Sequence, residues 1–457
     1  MKSFLRVVLF VASLVAGPAR AGDATGTQAH RIADCLERFG VNTFSKLNYN
    51  GYPWSWGGSK GEYDAETTAR AINWLTGDSG LTIQLREYHH GDGSTNDHLT
   101  PLQSAWIRKV FEKTRSPFSI SIAANGTTNA IGGLMKIVQD SESSGLHYVR
   151  WVEGINEPNT DFGSGTITNT VTAAVQARLF EQVRAIAPAM TVAAPSIVIG
   201  LPRPDAWLSH YLGPTTNSIL EHSDCNNIHV YPSWSPNGAY PNGHVGMFAD
   251  IDQGFRKVLP GKKAICTEWH TTLFSQIHKT NQIYDAYWAP IFLLSSYLDY
   301  DWKAAFWFAL FNYGGPHPYC GLFATNDASP YAQANALRSL FQLTSDHGAD
   351  KLSFTPGRLD VTVFGLPSAP TNSPHAGGRW ALFQNSAGTY FLMLWNEQNY
   401  ISTATVPVTV TFNSHAMTKV EEFNITAANP KPLQTQINAR TVTVNLDTSL
   451  RLLRITY

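Results

Sequence analysis

Between residues 40 and 345, short runs of β-branched and apolar residues alternate with longer stretches whose apolar positions recur at helical spacing. The short runs predict strands at Val41–Lys46, Leu81–Tyr88, Phe118–Ala123, Tyr148–Ile155, Thr191–Ile197, Asn227–Tyr231, Lys263–Glu268 and Ala304–Leu310. Their starts advance by 30 to 43 residues. Amphipathic stretches lie between them, among them Ala65–Leu75, Asn129–Asp140, Val171–Ile186, Phe248–Leu259, Gln282–Leu298 and Tyr331–Leu343. Eight strands, each followed by a helix, make an α/β fold of the (β/α)8 type, a TIM barrel. A doubly wound sheet would usually carry fewer strands and a glycine-rich first turn, which is absent.

From about Lys351 the helical spacing disappears and short alternating runs take over: Leu359–Phe364, Trp380–Gln384, Tyr390–Trp395, Thr405–Phe412, Lys419–Asn424, Thr441–Asn445 and Arg451–Tyr457. Turn-rich pieces such as Ser368–Pro374 separate them. This pattern predicts a C-terminal all-β sandwich domain. At the other end, Lys2 and Arg6 precede an apolar run from Val7 to Gly17, and Ala19-Arg20-Ala21 has the small-x-small form of a cleavage site. The expected organisation is a signal peptide over residues 1–21, a catalytic barrel over 22–347 and an accessory sandwich over 348–457. It implies export to the periplasm or beyond the cell. No later segment has the length and apolarity of a membrane span, so no membrane insertion is expected.

Charge and composition narrow the partners. Charged residues make up 15% of the chain and the formal net charge is −1, with no basic stripe to favour nucleic acid. Aromatic residues reach 12%. On loops they would suit a ligand with flat apolar faces, such as a sugar ring. Cys35, Cys225, Cys266 and Cys320 are widely spaced and form no CxxC; in an exported protein they could pair, with three connectivities open.

Two carboxylates stand at strand ends. Glu157 closes the fourth strand within Ile155-Asn156-Glu157-Pro158, and Glu268 closes the seventh within Thr267-Glu268-Trp269. In a barrel of this kind, reactive groups gather at the C-terminal ends of the strands. Cleavage of a glycosidic bond needs one carboxyl to protonate the leaving oxygen and a second to attack or to activate water. Asn156 is placed to bond a sugar hydroxyl, and Pro158 turns the chain out of the strand. The competing role for Glu157 is an N-cap of the next helix. Glu153, four residues upstream, would sit deeper in the barrel.

The motif Ile155-Asn156-Glu157-Pro158 resembles the strand-four signature of retaining glycoside hydrolases of clan A. Arg86 falls late in strand two, where the clan has an arginine holding the nucleophile. His229 and Tyr231, in Asn227-Ile228-His229-Val230-Tyr231-Pro232, match the strand-six aromatic that bonds the nucleophile. Trp307, in Phe306-Trp307-Phe308, matches the strand-eight sugar platform. With its C-terminal β domain the layout is similar to glycoside hydrolase family 39 and its neighbours, a group of β-xylosidases, α-iduronidases and exopolysaccharide endoglycosidases. The resemblance implies that Glu157 is the acid/base and Glu268 the nucleophile.

The loops add candidate substrate contacts. Trp54 and Trp56 belong to an aromatic loop after strand one and Trp234 to another after strand six. Several sugar subsites in a cleft favour an endo-acting enzyme on a β-linked polysaccharide; an exo-acting β-glycosidase, a transglycosylase or a non-catalytic carbohydrate-binding protein are the alternatives. His89, His90, Asp92 and His98 fit no familiar metal spacing, and the HExxH and P-loop motifs are absent. The expectation is a monomer that uses no metal and no cofactor.

Overall fold

The computed structural model describes residues 25–45, 64–89, 91–122, 128–158, 169–199, 218–230, 262–270, 282–312, 320–324, 328–368, 377–397, 404–426 and 429–457. The signal segment, the helix expected at Phe248–Leu259, and the aromatic loops bearing Trp54, Trp56, Tyr231 and Trp234 lie outside them.

The chain first forms β1 (Thr27–Gln28), β2 (His30–Arg31) and the short helix α1 (Ile32–Leu36). It then enters a parallel barrel through β3 (Phe39–Asn42), β4 (Gln84–His89), β5 (Phe118–Ile122), β6 (Val149–Ile155), β7 (Thr191–Ala193), β8 (Ile197–Ile199), β9 (Asn226–Val230), β10 (Ala264–Trp269) and β11 (Ala305–Trp307). Each strand pairs in parallel with its neighbour, and β11 returns to β3. The expected fifth strand is two pieces. Its first half, β7, pairs with β6 and its second half, β8, pairs with β9. The break falls at Pro195, whose missing N–H cannot serve a ladder. Bridges Asn156↔Ser196 and Ala193↔Cys225 carry the closure across it.

Helices α2 (Ala65–Thr76), α3 (Leu99–Thr114), α4 (Thr128–Ser143), α5 (Asn169–Ile186), α6 (Gln282–Leu298) and α7 (Ala332–Leu343) cover the outside. Going round, α2 packs on α3, α3 on α4, α4 on α5, α6 on α7, and α7 on α2. Local sequence starts and stops them: Asp64 caps α2 by accepting from the Thr67 amide at 2.7 Å, and Gly77 ends it at φ +51°.

The N-terminal end of the barrel is plugged by Trp151, Ala193, Cys225, Ile265, Ala304 and Phe306. Phe306 fits because position 40 has no side chain: a Cβ on Gly40 would collide with the Phe306 ring. This apolar floor forces everything polar in the barrel toward its C-terminal mouth.

After β12 (Arg358–Leu359), the sandwich sets β13 (Val361–Phe364), β16 (Val406–Phe412) and β19 (Thr441–Leu446) against a larger sheet. That sheet holds β14 (Gly377–Gln384), β15 (Tyr390–Glu397), β17 (Met417–Asn424), β18 (Gln434–Ala439) and β20 (Arg451–Thr456), and β2 joins its edge. Period-two alternation gives β15 two jobs. Leu392 and Leu394 enter the sandwich core, while Phe391, Met393 and Trp395 join the barrel's hydrophobic cluster. The two cores thus share one sheet. β18 escaped the sequence pattern because it is a largely exposed edge strand with little apolar alternation.

All four cysteines are buried free thiols, so the cores are held without the disulfides that an exported chain permits. No described helix is long and apolar enough to cross a membrane.

Candidate active site

Above the apolar floor, one guanidinium organises the barrel interior. Arg86, fully buried on β4, directs Nε at both oxygens of Glu153 (3.1 and 2.9 Å) and Nη1 at Asn42 Oδ1 (2.9 Å) and Glu268 Oε1 (2.7 Å). Its Nη2 donates to Asn156 Oδ1 at 2.7 Å. Burial is the largest single influence and would depress this guanidinium, but Glu153, Tyr88 and Glu268 together outweigh it, and Arg86 stays cationic. Glu153, equally buried, also accepts from Ser119 Oγ (2.5 Å) and Asn227 Nδ2 (3.0 Å). It is a fixed counter-charge below the reactive layer.

Glu268 lies at the mouth on β10. Successive strand residues should face opposite ways. Yet Thr267 Oγ1 donates to Asn227 Oδ1 at 2.6 Å inside the barrel while Glu268 reaches Arg86. A register shift between Cys266 and Glu268 against β9 reconciles the two, since a bulge re-aims one side chain. The Tyr88 hydroxyl also donates to Glu268 Oε1. Burial, and then the Glu268 charge, push the Tyr88 phenol well above its ordinary value, so it remains a neutral donor. Its ring is held between Phe44, stacked at 5.9 Å, and the Arg86 guanidinium, 4.7 Å from the centroid.

Glu157 follows β6 in a left-handed backbone conformation, φ +48°, which costs a non-glycine residue about 1–2 kcal/mol. The Glu157 amide donates to Ser196 O at 3.0 Å, which anchors the turn beside the break in strand five. His229 Nδ1 lies 2.7 Å from Glu157 Oε1 and 3.4 Å from Glu268 Oε2. One oxygen of each carboxylate and this nitrogen all fall within 4.8 Å of one another. Burial, and then the nearby negative charge of Glu268, push the Glu157 carboxyl well above the usual range. His229 is driven the other way, well below its ordinary value, by burial and then by the Arg86 charge. The mouth therefore sets a carboxyl biased toward its protonated form beside a carboxylate paired with a cation. Such a pair can give a proton to one atom of a substrate bond and present a nucleophile to the other.

The sequence-derived candidates fall into three groups. Glu157, Glu268, Arg86, Asn156 and His229 converge in one cluster. Asn156 Oδ1 is taken by Arg86 and by Ser196 Oγ (3.2 Å), while its Nδ2 has no partner among the described residues and stays available as a donor. His229, expected to contact substrate, instead has both ring nitrogens engaged, by Glu157 and by Thr267 Oγ1 at 3.1 Å, and no exposed surface. Arg86 is likewise sealed from any ligand. Trp307 corrects a second expectation. It is fully buried, donates its indole N–H to Cys320 O at 2.9 Å, and meets Trp269 edge-on at 4.6 Å. No ring face is left for a sugar, because β11 turns this side chain into the packed wall behind the site. Tyr231, Trp54, Trp56 and Trp234 belong to the third group, outside the described residues.

Sequence reasoning missed Tyr88 and Asn42. Period two was the available signal: Tyr88 is two residues beyond Arg86 and so shares its face of β4. Asn42 pairs in register with Arg86.

No family sequence model and no curated protein matches this chain. Solved structures do. A glucosidase from Croceicoccus marinus has a TM-score of 0.59 at 12% identity, covering 94% of this chain and 98% of its own. A family 39 glycoside hydrolase from Bacteroides cellulosilyticus scores 0.56 at 15%, covering 93% and 82%. An alpha-L-arabinofuranosidase from Thermotoga maritima scores 0.56 at 14%, covering 94% and 98%. What these likenesses establish is the fold: a barrel with an attached β domain.

Proposed function

We propose that this chain is a glycoside hydrolase that retains anomeric configuration by double displacement. The observation that carries the reading is the pair Glu157 and Glu268, with oxygens within 4.8 Å at the barrel mouth and in opposite electrostatic settings. Retaining enzymes hold their carboxyl groups about 5–5.5 Å apart, whereas inverting ones leave about 6.5–9.5 Å for a water. The short separation favours direct attack.

In the first step Glu268 bonds to the anomeric carbon as the C–O bond to the leaving group breaks, and the Glu157 proton passes to the departing oxygen. In the second, Glu157 takes a proton from water, whose oxygen replaces Glu268 at the anomeric carbon. Arg86 and Tyr88 hold the Glu268 oxygen that does not attack, fixing the carboxylate's direction. Asn156 Nδ2 suits a hydroxyl of the sugar being cleaved.

The substrate reading is an exported enzyme cutting inside a β-linked polysaccharide. Its support is the aromatic sequence of the loops with Trp54, Trp56 and Trp234, together with the signal-like N-terminus. The structural relatives include a glucosidase, an endoxylanase and arabinofuranosidases, so aryl β-glucosides, β-xylosides and α-L-arabinofuranosides, xylan and other polysaccharides form the panel to test. Release of mixed oligosaccharides from a polymer supports the endo reading, and monosaccharide alone refutes it. Turnover should vanish in Glu268→Ala and return with azide, which attacks the anomeric carbon in the nucleophile's place and leaves as the glycosyl azide. A chain that binds these sugars and cleaves none would instead be a carbohydrate-binding protein.

A further inference from the structure

The polar layer under the reactive pair has a direction, set by which atoms must donate. Glu153 faces the Arg86 cation and can only accept, so Asn227 must turn its Nδ2 toward it, at 3.0 Å. That leaves Asn227 Oδ1, an acceptor, toward Thr267 Oγ1 at 2.6 Å, and the threonine hydroxyl must spend its single proton there. Thr267 Oγ1 then has only lone pairs to offer His229 Nε2 at 3.1 Å, so Nε2 must carry a hydrogen. His229 is fully buried near Arg86, and burial first and then the Arg86 charge disfavour a second proton on its ring, which leaves Nδ1 bare. Its close neighbour is Glu157 Oε1 at 2.7 Å; Glu268 Oε2, at 3.4 Å, is beyond an ordinary hydrogen bond. Two oxygen and nitrogen lone pairs cannot sit 2.7 Å apart, so the proton between them belongs to the Glu157 carboxyl.

We infer that Asn227 and Thr267 are positioning residues which lock His229 in its Nε2–H form, so that His229 presents a bare nitrogen to Glu157 and keeps that carboxyl a proton donor. The inference rests on the acid/base role of Glu157 proposed above, although the tautomer itself does not. The relay runs from the Glu153 counter-charge through three side chains on two strands, β9 and β10, to a fourth side chain after β6. When Glu157 releases its proton to a leaving group, its carboxylate faces a lone pair. Ionisation is thereby disfavoured until the second step restores the proton from water.

Thr267→Val removes the hydroxyl at nearly constant volume and frees His229 to place its hydrogen on Nδ1, where it would stabilise ionised Glu157. The alkaline limb of the kcat/KM profile should then move to lower pH by about one unit, the size of a hydrogen bond to a charged group. The acid limb should stay in place. Thr267→Ser keeps the hydroxyl and should restore the original profile. A uniform loss of rate without movement of the alkaline limb would reduce Thr267 to a packing role and overturn the inference. Nitrogen-15 spectra of histidine-labelled wild-type protein, with the His229 signals assigned from His229→Gln, read the tautomer directly and need neither turnover nor a folded Thr267 variant. Protonated Nε2 with bare Nδ1 is expected. The reverse tautomer, or a doubly protonated ring at neutral pH, would overturn the relay whether or not the chain hydrolyses glycosides.

Discussion

Arg86 is the residue on which the site geometry depends, and Arg86→Met measures how much. The methionine has similar reach but no charge and no donors. It would leave Glu153, with no exposed side-chain surface, and Glu268, with 4%, buried without their cation. Removing one member of a buried ion pair costs about 3–5 kcal/mol, because the remaining charge stays desolvated. The bonds to Asn42 and Asn156 would add about 1 kcal/mol each if they acted alone, but they belong to the same network and do not sum with it. A loss of about 4 kcal/mol at neutral pH is the expectation, a large fraction of the usual 5–15 kcal/mol. Urea unfolding followed by tryptophan emission would read it. Arg86→Lys keeps the charge but cannot span two carboxylates and two amides, and should fall between the two. A loss under about 1 kcal/mol for Arg86→Met, the scale of an exposed ion pair, would show that water reaches these carboxylates and would refute the argument.

Glu87 supplies a pH prediction. Burial pushes its carboxyl up to about 8, despite donation from Thr43 Oγ1 (2.7 Å), Ser45 Oγ (3.1 Å) and the Ser45 amide (3.2 Å). A raised folded-state value means that its contribution is complete below its ordinary pKa and lost as pH climbs through about 8. Glu87→Gln should therefore gain on wild type as pH rises from about 5 to 8, by up to about 1.4 kcal/mol per unit; a difference flat with pH in chemical denaturation would contradict it. Trp307→Phe should lower stability by about 1–3 kcal/mol through the lost indole bond and volume, with KM unchanged, whereas a raised KM at unchanged stability would mark a sugar platform after all. Gly154→Ala should lower the thermal midpoint, since its Cβ would meet Gln176 and lie 2.9 Å from Pro195; an unchanged midpoint would show that α5 yields freely.

The barrel was legible because its signal is local. Most of its strands carry β-branched residues in a compact run, and the strand expected at Phe118–Ala123 differs from β5 by a single residue. The two carboxylates were legible because strand ends are marked by abrupt changes such as Glu157-Pro158. What escaped was set by tertiary geometry. The split of strand five required knowing that its halves serve different neighbours. The inward turn of both Thr267 and Glu268 depends on a register shift that alternation alone would deny. Trp307 and Phe308 differ by one position, and whether the aromatic face belongs to wall or mouth is decided by how β11 leaves the barrel. His229 was visible as a histidine between Ile228 and Val230; its partners, 38 and 72 residues away, were not.

The central claim is that Glu157 and Glu268 work as acid/base and nucleophile across the short separation of a retaining pair. Proton NMR of the first sugar released, recorded before mutarotation, tests it most directly. The account predicts that the first product carries the anomeric configuration of the substrate. An inverted anomer as the first product would contradict it, and Glu268 would then be no nucleophile.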